Sequence, residues 1–364
     1  MKRRFPMLGS ASSTLLVLIS LAVLAPAAEN ALSFYKVKPL VSDGTTTPHT
    51  DVNLVNPWGL AAGPATPWWV ANNGTATSTL YLAGGRPLGF LVVQVPGAPT
   101  GIVYNGGPHF RLKRGFLSSP AAFLFASEDG TIWGWSATAS GPIPSHDAVM
   151  VIDSSLAGAI YKGLAIASTP DGDFLYAADF HNGRVDVFDG EFHAAGAAGA
   201  FVDPNLPSGF APFGIQNIGG HIFVAYAKQD AEAKDEVAGP GLGYVSEFDA
   251  AGTFVARVAS GGALNAPWGL AMAPADRFGP FSGHLLVGNF GNGHINAYEA
   301  AAPHTPKGPL RNNVGLPISI DGLWGIAFGN GGAAGPPSTL YFTAGPANEA
   351  HGLFGSIRFK QSRF

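Results

Sequence analysis

Runs of consecutive apolar residues, each closed by a polar step and a glycine turn and followed by a strand of alternating character, return at intervals of 47 to 63 residues. The fullest copy reads Leu175, Tyr176, Ala177, Ala178, Asp179, then Gly183, Arg184, Val185, Asp186, Val187, Phe188 and Asp189. Related copies follow Trp69, Phe125, Phe223, Leu286 and Tyr341. Self-similarity at a near-constant period marks a closed repeat architecture, and periods near 40 to 50 residues are those of propeller blades.

A second element precedes five of the six apolar runs: Pro57-Trp58-Gly59-Leu60, Lys162-Gly163-Leu164-Ala165, Pro212-Phe213-Gly214-Ile215, Pro267-Trp268-Gly269-Leu270 and Leu323-Trp324-Gly325-Ile326. Small residues beside one bulky aromatic suit the innermost strand of a blade, where backbones crowd around an axis and glycine permits close approach. The second repeat lacks the signature, and Phe110 to Gly115 is expected in its place. Outer strands are expected at Leu91 to Val95, Ala148 to Ile152 and Phe254 to Val258. The prediction is an all-β, six-bladed β-propeller with four-stranded blades. The last repeat ends after its third strand, so Ser33 to Val41 is expected to close the last blade as an N-terminal strand and leave no exposed sheet edge at the seam.

These motifs resemble a family of uncharacterised exported bacterial proteins read as six-bladed propellers. The resemblance runs through Asn53 to Leu60, Tyr161 to Ala165, Val237 to Gly241, Asp321 to Gly325 and Tyr341 to Gly345. It implies a fold and export, and carries no activity with it.

Export is also read from the first residues. Lys2, Arg3 and Arg4 precede an apolar stretch from Leu15 to Leu24 that ends in Ala25-Pro26-Ala27, the pattern of a signal peptide over residues 1–28. Residues 29–364 then form one propeller domain, periplasmic or extracellular, without a transmembrane segment. No sorting tail follows Phe359, so anchoring by that route is not expected. With 50 Gly, 29 Pro and 12% charged residues, the composition suits short strands and tight turns. The absence of cysteine excludes disulfides and thiolate chemistry, leaving stability to the core and ring closure. A net charge of -4 without a basic run beyond the signal peptide argues against nucleic acid and anionic membrane surfaces as partners. The expected state is a monomer whose partner is an unidentified ligand or an envelope or extracellular protein.

Aligning the polar steps gives Asn72, Glu128, Asp179, Tyr226, Asn289 and Ala344. In a four-stranded blade these steps open onto the same face as the entry to the innermost strand. That face would gather Asn72, Glu128, Asp179 and Asn289 as hard oxygen ligands for calcium, with Trp58, Trp268, Trp324 and Tyr226 as ligand-binding aromatics. Against this, Asn and Asp recur at turns because they cap backbone groups. Lys162 would hold an anionic group. His181, two residues past Asp179, would serve as a base oriented by that carboxylate, and His351 with Glu349 repeats the spacing. The charged insertion Lys228 to Glu236 interrupts the fourth repeat and projects from the same face as a lid or contact loop, with Asp230 and Asp235 as further oxygen donors. No nucleophile elbow, phosphate-binding loop or zinc helix occurs. Three roles are compatible with this pattern: a binding or scaffold module, a calcium-assisted hydrolase or lyase of lactonase-like type, and a purely structural role in the envelope.

Overall fold

A computed structural model describes residues 1, 33–139 and 145–361. Beyond Met1, the signal peptide read at residues 1–28 lies outside the described residues. Six antiparallel sheets each begin with a strand that packs against the first strand of the next sheet, and the sixth returns to the first. Those innermost strands are Pro57–Ala61, Pro99–Tyr104, Tyr161–Thr169, Phe210–Ile218, Pro267–Met272 and Leu323–Phe328. The chain is an all-β, six-bladed propeller. Among the described residues, no helix is long and apolar enough to cross a membrane.

The apolar runs are continuous because each second strand is buried on both faces. Successive side chains of Gly172–Asp179 alternate between neighbours: Leu175 and Ala177 enter the core shared with the second blade, Tyr176 and Ala178 the core shared with the fourth. Six such inter-blade cores and one axial cluster hold the ring together.

At the seam, Ser33–Ser42 pairs antiparallel with Leu353–Gln361 as the outer strand of the last blade. Five blades carry four consecutive paired strands, whereas the third has three. Its outer position falls on the alanine- and glycine-rich stretch that follows His193, which has little β-propensity. That stretch makes only a single bridge, between Phe188 and Ala194. The following loop is instead pinned to the fourth blade, where Ser246 and Arg257 donate to the buried Asp203 carboxylate.

Phe110 to Gly115 does not form the innermost strand of the second blade. Pro99–Tyr104 takes that place, and Arg111–Arg114 pairs with Leu117–Pro120 in a separate hairpin. The signature was hidden because Thr100 stands where other repeats have an aromatic or lysine.

Candidate functional site

Each innermost strand opens with an irregularity in its pairing to the second strand, across Pro57/Leu60, Tyr161/Gly163, Pro212/Gly214, Pro267/Gly269 and Leu323/Ile326, and in the second blade opposite Ala126. A bulge of this kind re-aims one side chain. The residues so placed are Trp58, Thr100, Lys162, Phe213, Trp268 and Trp324, each followed by a glycine. Glycine is required there. A Cβ on Gly59, Gly163, Gly214, Gly269 or Gly325 would lie under 3 Å from the backbone oxygen of the residue at the bulge of the next blade. The blades therefore meet backbone to backbone at the axis.

The re-aimed aromatics close the channel. Trp58 stacks on Trp324 with ring centroids 3.5 Å apart, Phe290 stacks on the same indole at 4.1 Å, and Trp268 and Phe213 meet Trp324 at 5.9 and 5.8 Å. The Trp268 indole donates to the Lys162 carbonyl at 2.9 Å and that of Trp324 to Asn56 Oδ1 at 3.0 Å. Lys162 is the one cation in this ring. Its side chain is 1% exposed, and its Nζ lies 5.2 Å from the Trp58 ring centroid.

Above the plug is a cup of about 450 Å³, lined by Trp58, Lys162, Phe290 and four carboxylates: Glu128, Asp235, Glu236 and Glu349. They arrive from three places in the repeat. Glu128 ends the second blade's apolar run. Asp235 and Glu236 belong to the charged insertion, which folds back through Glu236–Val237 pairing with Lys228 and Gln229. Glu349 sits in a turn of the last blade where three consecutive residues, Ala347, Asn348 and Glu349, have positive φ. Lys162 Nζ donates to Glu128 Oε1 at 2.5 Å and Asp235 Oδ1 at 3.0 Å, and Asn73 Nδ2 donates to Glu128 Oε2 at 2.8 Å.

The electrostatics follow from burial and crowding. Burial pushes the Lys162 ammonium down, but the Glu128 carboxylate, reinforced by Glu236 and Asp235, holds it above its ordinary value. Burial pushes the Glu236 carboxyl up to about 7 despite the attraction of Lys162. Glu349 is raised by burial and by the negative charge of Glu128. The cup holds four acids against Lys162 and Lys234, so it carries an acidic excess.

Of the residues singled out in the sequence, Lys162, Glu128, Asp235, Glu349, Trp58, Trp268 and Trp324 come together here, the last two as part of the plug. Asn72, Asp179 and Asn289 do not line the cup and are fully buried in their own blades. Asn72 donates to Thr77 and Thr79, Asn289 donates to Ala263 and Asn292, and Asp179 accepts from Ile160 and Asn182. Burial raises the Asp179 carboxyl, against the hydrogen bonds from Asn182 and Ile160. Tyr226 packs between the third and fourth blades, its hydroxyl buried without a partner. His181 is exposed and its Nδ1 lies 3.3 Å from the Ala233 carbonyl, not on Asp179; His351 pairs with Asp43 at 2.8 Å, not with Glu349. Among the described residues, no three His, Asp or Glu side chains are arranged to hold a metal ion.

The reason is a one-residue offset. Strand register pairs Asn72, Ser127, Asp179, Tyr226, Asn289 and Ala344 with the entry of their innermost strands, so Glu128 corresponds to Asn73, Phe180, Ala227 and Phe290. Side chains alternate along a strand, and it is this second set that reaches the axis. Phe180 and Phe290, both in the axial cluster, went unnoticed for the same reason. The signal was present as an aromatic immediately after the polar step.

No family model matches the chain. It is 37% identical over 344 residues to the uncharacterized protein R648 of Acanthamoeba polyphaga mimivirus, covering 90% of this chain and 81% of that protein. Protein L690 of the same virus is 34% identical over 346 residues, covering 90% and 86%. These relatives are viral, whereas the sequence resemblance pointed to exported bacterial proteins. Among solved structures, a protein of unknown function from Bacteroides thetaiotaomicron superposes with a TM-score of 0.55 at 10% identity, covering 90% of this chain and 76% of that one. A glucose dehydrogenase superposes at 0.51 with 12% identity, covering 88% and 99%. At such identities the likeness concerns the fold alone.

Proposed function

The chain belongs to the family of the uncharacterized mimivirus proteins R648 and L690, and from that premise we propose that it is a binding propeller whose axial cup recognises a small organic cation, an alkylammonium or guanidinium group. The observation that carries this reading is the set of four carboxylates around a concave site whose two lysines, the buried Lys162 and the exposed Lys234, neutralise only part of their charge. A cationic ligand would complete the neutralisation and find the aromatic floor of Trp58 and Phe290 beneath it. Export belongs to the same proposal and rests on the basic and apolar pattern of the first residues.

Calcium, assigned in the sequence to Asn72, Glu128, Asp179 and Asn289, would meet only Glu128 of that set in the cup, beside an ammonium group. That donor set does not fit the ion. Hydrolysis or elimination in the same cup is a second reading favoured by the placing of Glu236 beside Lys162 in the cup lining, where burial pushes its carboxyl up to about 7, the range in which a general acid or base works best.

The test is calorimetric titration of the full chain with agmatine, putrescine and glucose at about pH 6 and about pH 8. Because Glu236 is raised to about 7, it gains its charge between these values, so cation binding should tighten several-fold on going up. Glucose binding as tight as agmatine, or no pH dependence for the amines, would overturn the reading.

A further inference from the structure

We propose that the seam between the last and first blades is an oxyanion site that takes a phosphate or sulfate group. The strands Ser33–Ser42 and Leu353–Gln361 pair antiparallel there, with Lys36 directly opposite Arg358 and Lys38 opposite Ser356. Alternation along each strand turns Tyr35, Val37, Ile357 and Phe359 into the core shared with the fifth blade. Lys36, Lys38, Arg358 and Lys360 are thereby put together on the face toward the first blade, where Ala83 and Gly84 form the opposing wall of a cleft of about 200 Å³.

All four cations are exposed, none pairs with a carboxylate among the described residues, and no acid lines the cleft. In a chain of net charge -4 this is a local inversion of sign. Lysines on an outermost strand commonly guard it against pairing with another chain. That explains Lys36 and Lys38 but not Arg358 and Lys360, which stand on the next strand inward. Like charges placed directly opposite across a strand pair repel, and an oxyanion between them would relieve the repulsion. The Arg358 guanidinium presents a planar fork suited to two oxygens of such a group, with the lysines as point charges around it. The wall is held by the Tyr341 hydroxyl, which donates to the Ala83 carbonyl at 3.2 Å.

The experiment measures the thermal midpoint and calorimetric affinity of the full chain with inorganic phosphate and pyrophosphate, against chloride at equal ionic strength. The wild type should bind pyrophosphate saturably and melt higher in its presence. The variant carrying Lys36→Gln and Arg358→Gln should lose at least about tenfold in affinity, lose the thermal shift, and melt no lower than wild type without the anion. Lys38→Gln, a single change at an exposed position, should weaken binding in the same direction. Equal midpoints in phosphate and chloride, or undiminished affinity in the double variant, would overturn the site. Retention on vesicles containing phosphatidic acid, lost in the double variant, would assign the group to a lipid headgroup. Anion binding without such retention would assign it to a soluble ester.

Discussion

The two mouths of the central channel are built from the same six strands and have opposite chemistry. At the strand entries lies the charged cup; at the other end a cavity of about 310 Å³ is lined by Leu60, Ile102, Ile166, Tyr104 and Phe328, with the uncharged Gln216, Asn217 and Asn330 among its polar groups. Between them the aromatic plug gives way to a neck of about 40 Å³ lined by the residue after each ring glycine: Leu60, Ile102, Leu164, Ile215, Leu270 and Ile326. The neck keeps the repeat faithfully, with an aliphatic side chain in every blade. The cup departs from it at several points: Lys162 replaces an aromatic, the fourth blade carries an insertion, and the last blade has a turn with three consecutive positive-φ residues. Chemistry is thus concentrated where the repeat is broken, because six identical side chains around an axis can only pack, whereas a buried charge needs unlike partners.

The largest effect is expected at Lys162. Lys162→Met leaves the part-buried Glu128 without its counter-charge and should cost about 3 kcal/mol in denaturant unfolding, the lower end of what breaking a buried pair from one side costs, while the exposed Asp235 adds little. Gln216→Met, at the exposed rim of the other mouth, should stay within about 0.5 kcal/mol. Equal losses would erase the proposed contrast between the mouths.

The shared scaffold is probed by Gly214→Ala. The added methyl would meet the Trp268 backbone, and overpacking of this kind should cost about 2 kcal/mol. Gly84→Ala, with open space around it, should be close to neutral. A Gly214→Ala protein as stable as wild type would mean that the blades do not meet at this point.

The smallest effect sharpens the cup. The Glu236 carboxyl is raised from 4.5 to about 7, so between those values the folded chain holds a proton that the unfolded chain has released, and stability falls as pH rises across that window. Glu236→Gln removes this loss. It should stabilise by on the order of 1 to 2 kcal/mol at about pH 8 and change little at about pH 4, read from urea midpoints. A gain of the same size at both pH values would show that the carboxyl does not titrate in that window.

Much of the fold was legible because strand repeats write themselves as periods. The apolar runs and the aromatic-glycine signature identified six units and five of the six innermost strands. The sixth was missed at Thr100, where a small hydroxyl residue does the work of bulging without the aromatic that marked the others. Lys162, Glu128 and Trp58 were correctly drawn to one place, but Glu128 for the wrong reason, since aligning it with Asn72 put three blade-internal caps on the axis with it. The insertion ending at Glu236 and the turn residue Glu349 were both read as lying near this face, but as a lid and as the partner of His351; that their carboxylates line the cup beside Lys162 had no local signal, since a charged loop and a turn look alike whether they point to solvent or fold over a hub.

By itself the sequence determined the number of blades, the strand order within them and the glycines that let them touch, since each of these depends on neighbours in the chain or on strict repetition. Only the tertiary structure decided which polar residues share a site. A shift of one residue along a strand turns a side chain from the axis to the space between blades, and that choice is made by register between strands far apart in the sequence, not by the local pattern.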